Sequence, residues 1–288
     1  MSADLPPDDW PGRAYSRIVP CKPHRWHVQE VGDGPDVLLL HGAGASTHSW
    51  ARLADILSAH HRVIMVDLPG HGFTRSPKGR ARLQDVAQDM SNLARQEGWR
   101  PTILVGHSAG AAVALEMARM GRLGPEQIIA INGALEDFQG PAGWLFPMMA
   151  KMLALNPLTG FFITQNNPSL AQIRRIIGAT GTGLDDDALD LYAQLIRRKS
   201  HVDGTLAMMA QWSLSDLNRA LPEIGIPTLF LHGTKDQAVS IKVAERAASL
   251  MPRGHLVPLE GVGHLAQEEV PEIVANHIHT FAQNMVAE

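Results

Sequence analysis

Thr102-Ile103-Leu104-Val105-Gly106-His107-Ser108-Ala109-Gly110 is the stretch that decides the fold. A short β-branched, apolar run ends in Gly-x-Ser-x-Gly, and a helix of small residues follows from Ala111 to Met117. A strand turning sharply into a helix is the context in which this common pattern presents a serine as a nucleophile. The serine is expected to be strained there, and Gly106 and Gly110, lacking side chains, let strand and helix approach. Its Oγ then stands clear of the backbone at a helix N-terminus, whose partial positive charge favours developing negative charge.

A serine alone is a poor nucleophile, so the reading requires a base, an orienting carboxylate and donors for an oxyanion. The base is expected at His264, in the loop Gly261-Val262-Gly263-His264-Leu265 between a strand (His255 to Leu259) and the last helix. The carboxylate is expected at Asp236, just past the apolar strand Thr228 to His232. Glu136 and Asp137, which follow the strand Ile128 to Asn132, are the rival acids. The donors fall to Ala43, in the loop His41-Gly42-Ala43-Gly44 after Val37 to Leu40, and to Ala109. Only backbone N–H groups are needed for that job, so residues as plain as alanine can hold it. His264 would take the Ser108 proton and return it to the leaving group, while Asp236 fixes the imidazole tautomer.

Composition narrows the alternatives. The 288 residues suit one large domain, or a core with an insertion, and the 45% hydrophobic and 19% charged content are those of an ordinary globular protein. A net charge of −4 argues against nucleic acid as a main partner. The single cysteine, Cys21, cannot form an internal disulfide, which suits a cytoplasmic location. The acidic, proline-rich start (Asp4 to Pro11) lacks the pattern of a secretory signal. No apolar run reaches membrane-spanning length; the longest, Trp144 to Leu155, is interrupted by Pro147 and Lys151. Fourteen histidines invite a metal reading, but no His-Glu-x-x-His occurs, so neither metal nor cofactor is expected.

Strand-like and helical runs alternate along most of the chain. Strands are expected at 37–41, 63–67, 103–106, 128–132, 228–232 and 255–259, with helices at 50–59, 83–97, 109–120, 241–251 and 271–284. Such alternation predicts a doubly wound, mostly parallel sheet, with ligands beyond the carboxyl ends of its strands. The alternating stretch Trp26 to Val31 adds candidate antiparallel edge strands. Between Asn132 and Leu221 only helices are expected: 144–155, 170–177, 186–198 and 205–212. This predicts a core of 1–133 and 217–288 with a helical lid, 134–216, over the site. The lid is rich in Met and Phe, and Met148, Met149 and Trp212 are the candidate contacts for a large apolar substrate or a membrane surface. Arg174, Arg175, Arg197, Arg198 and Lys199 are either edge cations for an anionic ligand or ordinary helix surface.

The Ser108, Asp236 and His264 motifs, in that chain order, resemble the α/β-hydrolase superfamily over nearly the whole chain, as does Asp67-Leu68-Pro69-Gly70-His71-Gly72. Less generic stretches carry a closer resemblance: Asp9-Trp10-Pro11, Arg25 to Gln29, His41 to Trp50, Asn132 to Leu135, Leu153 to Pro157 and Ala207 to Trp212. Together these are similar to the magnesium-chelatase-associated α/β hydrolases of bacteriochlorophyll biosynthesis. The resemblance implies a role near magnesium insertion into protoporphyrin IX, with a tetrapyrrole substrate, magnesium chelatase subunits as partners, and a place at or near the photosynthetic membrane. Three readings stay open. One is a serine hydrolase forming an acyl-enzyme. Another is a non-catalytic accessory or porphyrin-binding protein, and the third a cofactor-free haloperoxidase-like or C–C bond hydrolase.

Overall fold

The computed structural model describes residues 5–136 and 168–286. Its centre is an eight-stranded sheet made of β1 (Ser16–Cys21), β2 (His24–Val31), β3 (Asp36–Leu40), β4 (Arg62–Val66), β5 (Pro101–His107), β6 (Gln127–Ile131), β7 (Thr228–Gly233) and β8 (Gly254–Leu259), in the order β1-β2-β4-β3-β5-β6-β7-β8. From β4 to β8 every pairing is parallel, and β2 joins β4 antiparallel as one arm of the β1–β2 hairpin. The expected strands therefore form within one or two residues of their predicted ends. The strand β1 had no clear signal in Ser-Arg-Ile-Val-Pro-Cys, because Pro20 is tolerated only where a strand lies at the edge.

The central strands read as unbroken apolar runs because both faces of the sheet are covered. Val37 and Leu39 pack on one face with Trp50, which precedes α1 (Ala51–Leu57), with Leu53 of α1, and with Val274 and Ile278 of α10 (Pro271–Val286). Leu38 and Leu40 pack on the other with Met90, Leu93, Val113 and Met117 of α2 (Leu83–Gln96) and α3 (Ala109–Arg119). Each such fully buried side chain is worth about 1.5–3 kcal/mol of transfer free energy. The alternation of 37/39 against 38/40 is what makes the sheet doubly wound.

Between β6 and β7 the described residues form helices alone: α4 (Leu170–Gly178), α5 (Asp186–Ile196), α6 (Lys199–Gln211) and α7 (Ser215–Ala220). The expected helix from Thr205 starts earlier, at Lys199. Gly204 hid its first turns, since glycine lowers helix propensity. A Cβ at Gly204 would lie 2.1 Å from the Gly70 carbonyl oxygen, so α6 packs with its backbone against the 68–74 loop. The chain returns through β7, α8 (Ile241–Leu250), β8, the short α9 (Ala266–Glu269) and α10. The expected helix 144–155, with Met148 and Met149, lies outside the described residues. Among the described residues no helix is long and apolar enough to cross a membrane.

Candidate active site

Ser108 ends β5 and precedes α3, with φ 49° and ψ −115°, a left-handed conformation that a residue bearing a Cβ rarely adopts. The turn is possible because its flanking glycines are pressed against backbone. A Cβ on Gly106 would meet the Gly110 carbonyl oxygen at 2.3 Å, and one on Gly110 the Leu40 carbonyl oxygen at 1.9 Å. Ala109 is the first residue of α3, so its N–H has no acceptor within the helix. The Gly42 loop comes equally close, since a Cβ there would lie 2.8 Å from His107 Nδ1 and 3.1 Å from Ser108 Cβ. That approach brings Ala43 beside Ser108.

His264 Nδ1 donates to Asp236 Oδ2 at 2.7 Å. The other carboxylate oxygen accepts the N–H groups of Ala238 at 2.7 Å and Val239 at 2.9 Å, so the buried Asp236 side chain is held from both ends. Of the rival acids, Glu136 faces Arg246 at 3.2 Å, and Asp137 lies outside the described residues. Ser108, His264 and Ala43 line one cavity of about 520 Å³, roofed by helices α4 to α6. The structure thus brings Ser108, Asp236, His264, Ala43 and Ala109 together.

The other expected contacts that fall within the described residues lie elsewhere. Trp212 packs against the core beneath α6 and donates its indole N–H to the Ala81 carbonyl at 2.8 Å, away from the cavity walls. Met208, part of the expected Met-rich roof, is buried in the same core. The described roof is built instead from branched aliphatics, notably Ile173, Ile176, Ile177 and Ile196. No expected edge cation lines the cavity: Arg174 pairs with Asp186, Lys199 with Asp203, and the Arg198 guanidinium lies 4.2 Å from the Phe73 ring centroid.

Three positioning groups escaped the sequence reading. Asn132, at φ 45° after β6, donates Nδ2 to the carbonyls of Gly263 and His264, both at 2.7 Å, and accepts the Gly233 N–H at 2.8 Å. Asparagine tolerates left-handed backbone, which was the one available signal. Thr180 and Thr182, in the turn between α4 and α5, accept the N–H groups of Gln237 and Leu265, both at 3.0 Å. These are the neighbours of Asp236 and His264. His201 of α6 accepts the Gly72 N–H on Nδ1 at 3.0 Å and donates Nε2–H to the Gly44 carbonyl at 3.2 Å. Burial pushes the His201 pKa down to about 4, so the ring is neutral and this tautomer persists near pH 7. His41 and His107 pack loops: His41 Nδ1 donates to the Gly42 carbonyl at 2.8 Å and His107 Nε2 to that of His264 at 2.9 Å.

A second Ser–His–Asp string exists. His27 donates Nδ1 to Asp67 at 2.7 Å and lies 3.1 Å through Nε2 from Ser16 Oγ. Ser16 sits on edge strand β1 and takes a hydrogen bond from Gln29 at 3.0 Å, outside the cavity that holds Ser108. Asp67 also accepts the N–H groups of Thr47 and Phe73, at 2.7 and 2.8 Å, which marks it as a loop anchor.

Residues 37–277 match the alpha/beta hydrolase family. The chain belongs to that family. It is 40% identical over 265 residues to the magnesium-chelatase 30 kDa subunit of Rhodobacter capsulatus, covering 91% of this chain and 92% of that protein. It is also 30% identical over 265 residues to a pimeloyl-acyl-carrier-protein methyl ester esterase of Vibrio atlanticus, covering 90% and 97%. Among solved structures, a lipase of Acinetobacter baumannii AYE superposes with a TM-score of 0.78 at 20% identity, over 94% of this chain and 92% of the other. That likeness concerns the fold.

Proposed function

We propose that the protein is a serine hydrolase that cleaves an ester-like bond through an acyl-enzyme. The observation that carries this is a buried Asp236 bonded to His264 at 2.7 Å, with His264 opening on the cavity that Ser108 enters from a strained turn. In the reaction, His264 Nε2 takes the Ser108 proton as Oγ attacks the acyl carbonyl. The oxyanion is met by the N–H groups of Ala43 and Ala109. His264 returns the proton to the departing alcohol, and water then repeats the sequence on the acyl-enzyme to release the acid. The helical segment within 134–216 acts as a lid over this chemistry. The 40% identity to a protein named magnesium-chelatase 30 kDa subunit supports a reaction near magnesium chelation; with the resemblance to hydrolases of bacteriochlorophyll biosynthesis, it makes a tetrapyrrole the candidate substrate.

A fluorophosphonate probe tests the reaction. It should label the wild type and leave Ser108→Ala unlabelled, and Asp236→Asn should lower kcat on p-nitrophenyl esters by roughly 10³ to 10⁴. Undiminished labelling of Ser108→Ala would overturn the proposal. The name of the Rhodobacter relative also favours a second reading, an accessory protein of the chelatase or its porphyrin that needs no turnover. That reading predicts full support of chelation by Ser108→Ala.

A further inference from the structure

We infer that the group seated in the cavity is an uncharged hydrocarbon moiety, and that a substrate bearing a carboxylate there must carry it esterified or keep it outside. This inference rests on the hydrolase reading for its chemistry but on the cavity walls alone for its ligand class. Among the described residues, no Asp, Glu, Lys or Arg lines the cavity. Its described wall is dominated by Ile173, Ile176, Ile177, Ile196, Val202 and Leu206, all from α4 to α6. Residues 137–167, outside the described set, contribute two charged side chains to the sequence, Asp137 and Lys151.

The polar wall groups reinforce the point, because most of their hydrogen-bonding capacity, His107 Nδ1 excepted, is already committed. Tyr192 donates its hydroxyl to Glu268 at 2.6 Å, Thr180 to the Ile177 carbonyl at 2.7 Å and Thr205 to the His201 carbonyl at 2.9 Å. His201 uses both ring nitrogens on Gly72 and Gly44, and His107 gives its Nε2 proton to the His264 carbonyl. Gln172 stands exposed at the mouth, its side-chain oxygen bound in the cap of α4. Away from Ser108, His264 and the N–H groups of Ala43 and Ala109, the wall therefore offers a ligand little but aliphatic contact. An ionised group moved there would lose water and gain no partner, which is strongly unfavourable. A volume of about 520 Å³ is that of a site for a drug-sized ligand, so the accepted moiety is large as well as neutral.

Matched esters test the ligand class. The wild type is assayed with p-nitrophenyl butyrate, hexanoate and octanoate, with mono-p-nitrophenyl suberate, and with methyl p-nitrophenyl suberate. We expect kcat/KM to rise severalfold per added methylene pair, as burial of each methylene favours binding. The free-acid suberate should fall at least about 100-fold below its methyl-capped counterpart. A binding arm uses Ser108→Ala with Nile red as reporter: methyl decanoate should displace the dye, while decanoate at pH 8 should require at least about 100-fold more. Equal turnover of acid and capped ester, or equal displacement by both decanoate forms, would overturn the inference. Absent turnover of every ester with the displacement pattern intact would sink the hydrolase reading and leave the ligand class standing.

Discussion

Asn132 holds the main chain of His264: its Nδ2 reaches the His264 carbonyl at 2.7 Å while its Oδ1 takes the N–H of Gly233 at 2.8 Å. The end of β6 thereby ties the loop bearing the candidate base to the strand that leads into Asp236. Replacing Asn132 with Ala removes these bonds and leaves buried backbone groups unpaired. We expect a loss of about 2–4 kcal/mol in stability and at least tenfold in ester turnover. Asn132→Gly, which relieves the left-handed φ, should be less destabilised than Asn132→Ala by about 1 kcal/mol at similar activity loss. Urea unfolding and initial rates on p-nitrophenyl butyrate check both; equal stability and full activity in Asn132→Ala would refute the tether.

Ser108 stores strain at its own Cα. Its φ of 49° costs nothing to glycine, so Ser108→Gly should be more stable than wild type by about 1–2 kcal/mol while losing all covalent labelling. Ser108→Ala keeps the Cβ and should match wild type in stability. Guanidinium melts of the three proteins decide this, and a Ser108→Gly protein no more stable than Ser108→Ala would contradict it.

His201 anchors the loop of Ala43 from the helical cap, through its bond to the Gly44 carbonyl at 3.2 Å. Loosening that loop should misplace Ala43, one of the two candidate oxyanion donors. We expect His201→Ala to slow phosphonylation of Ser108 by a fluorophosphonate tenfold to a hundredfold, with KM for small esters changed less than threefold. His201→Gln, whose amide can still donate to Gly44, should recover part of the rate. A rise in KM at constant kcat would reduce His201 to a wall residue.

Glu268 carries the pH signature of the fold. It is buried, accepts hydrogen bonds from Ser49 at 2.5 Å and Tyr192 at 2.6 Å, and burial pushes its pKa up to about 7. A carboxyl whose folded pKa is raised binds its proton more tightly when folded. Its contribution to stability is therefore full below pH 4.5 and is lost as pH rises to about 7, by roughly 3 kcal/mol. His48 and His201, lowered by burial to about 3 and about 4, act oppositely and withdraw stability as pH falls below 6.5. Glu268→Gln isolates the first effect: relative to wild type it should gain stability between pH 5 and pH 8, read by urea melts at both. A difference that stays constant with pH would show that Glu268 does not titrate in this range.

Much of this protein was legible locally. The strained turn at Ser108, the strand-end loops of Asp236 and His264 and the apolar runs of β3 to β7 are short-range patterns, in which residue type and spacing follow from backbone geometry. The apolar runs even implied two covered faces, since a half-exposed strand would alternate.

What the sequence could not determine is which side chains meet across the fold. Asn132 bonds His264 from 132 residues away, and His201 bonds Gly44 from 157. Trp212 looked like a ligand contact and instead, just past the end of α6, lies against the same buried core as Met208 and gives its indole N–H to Ala81. Ile173, Ile176 and Ile177 of α4, an ordinary core-facing stripe by spacing, instead form a cavity wall. Helical periodicity says that a face is buried. Only the packing of one helix on another decides whether that face meets a neighbour or a void.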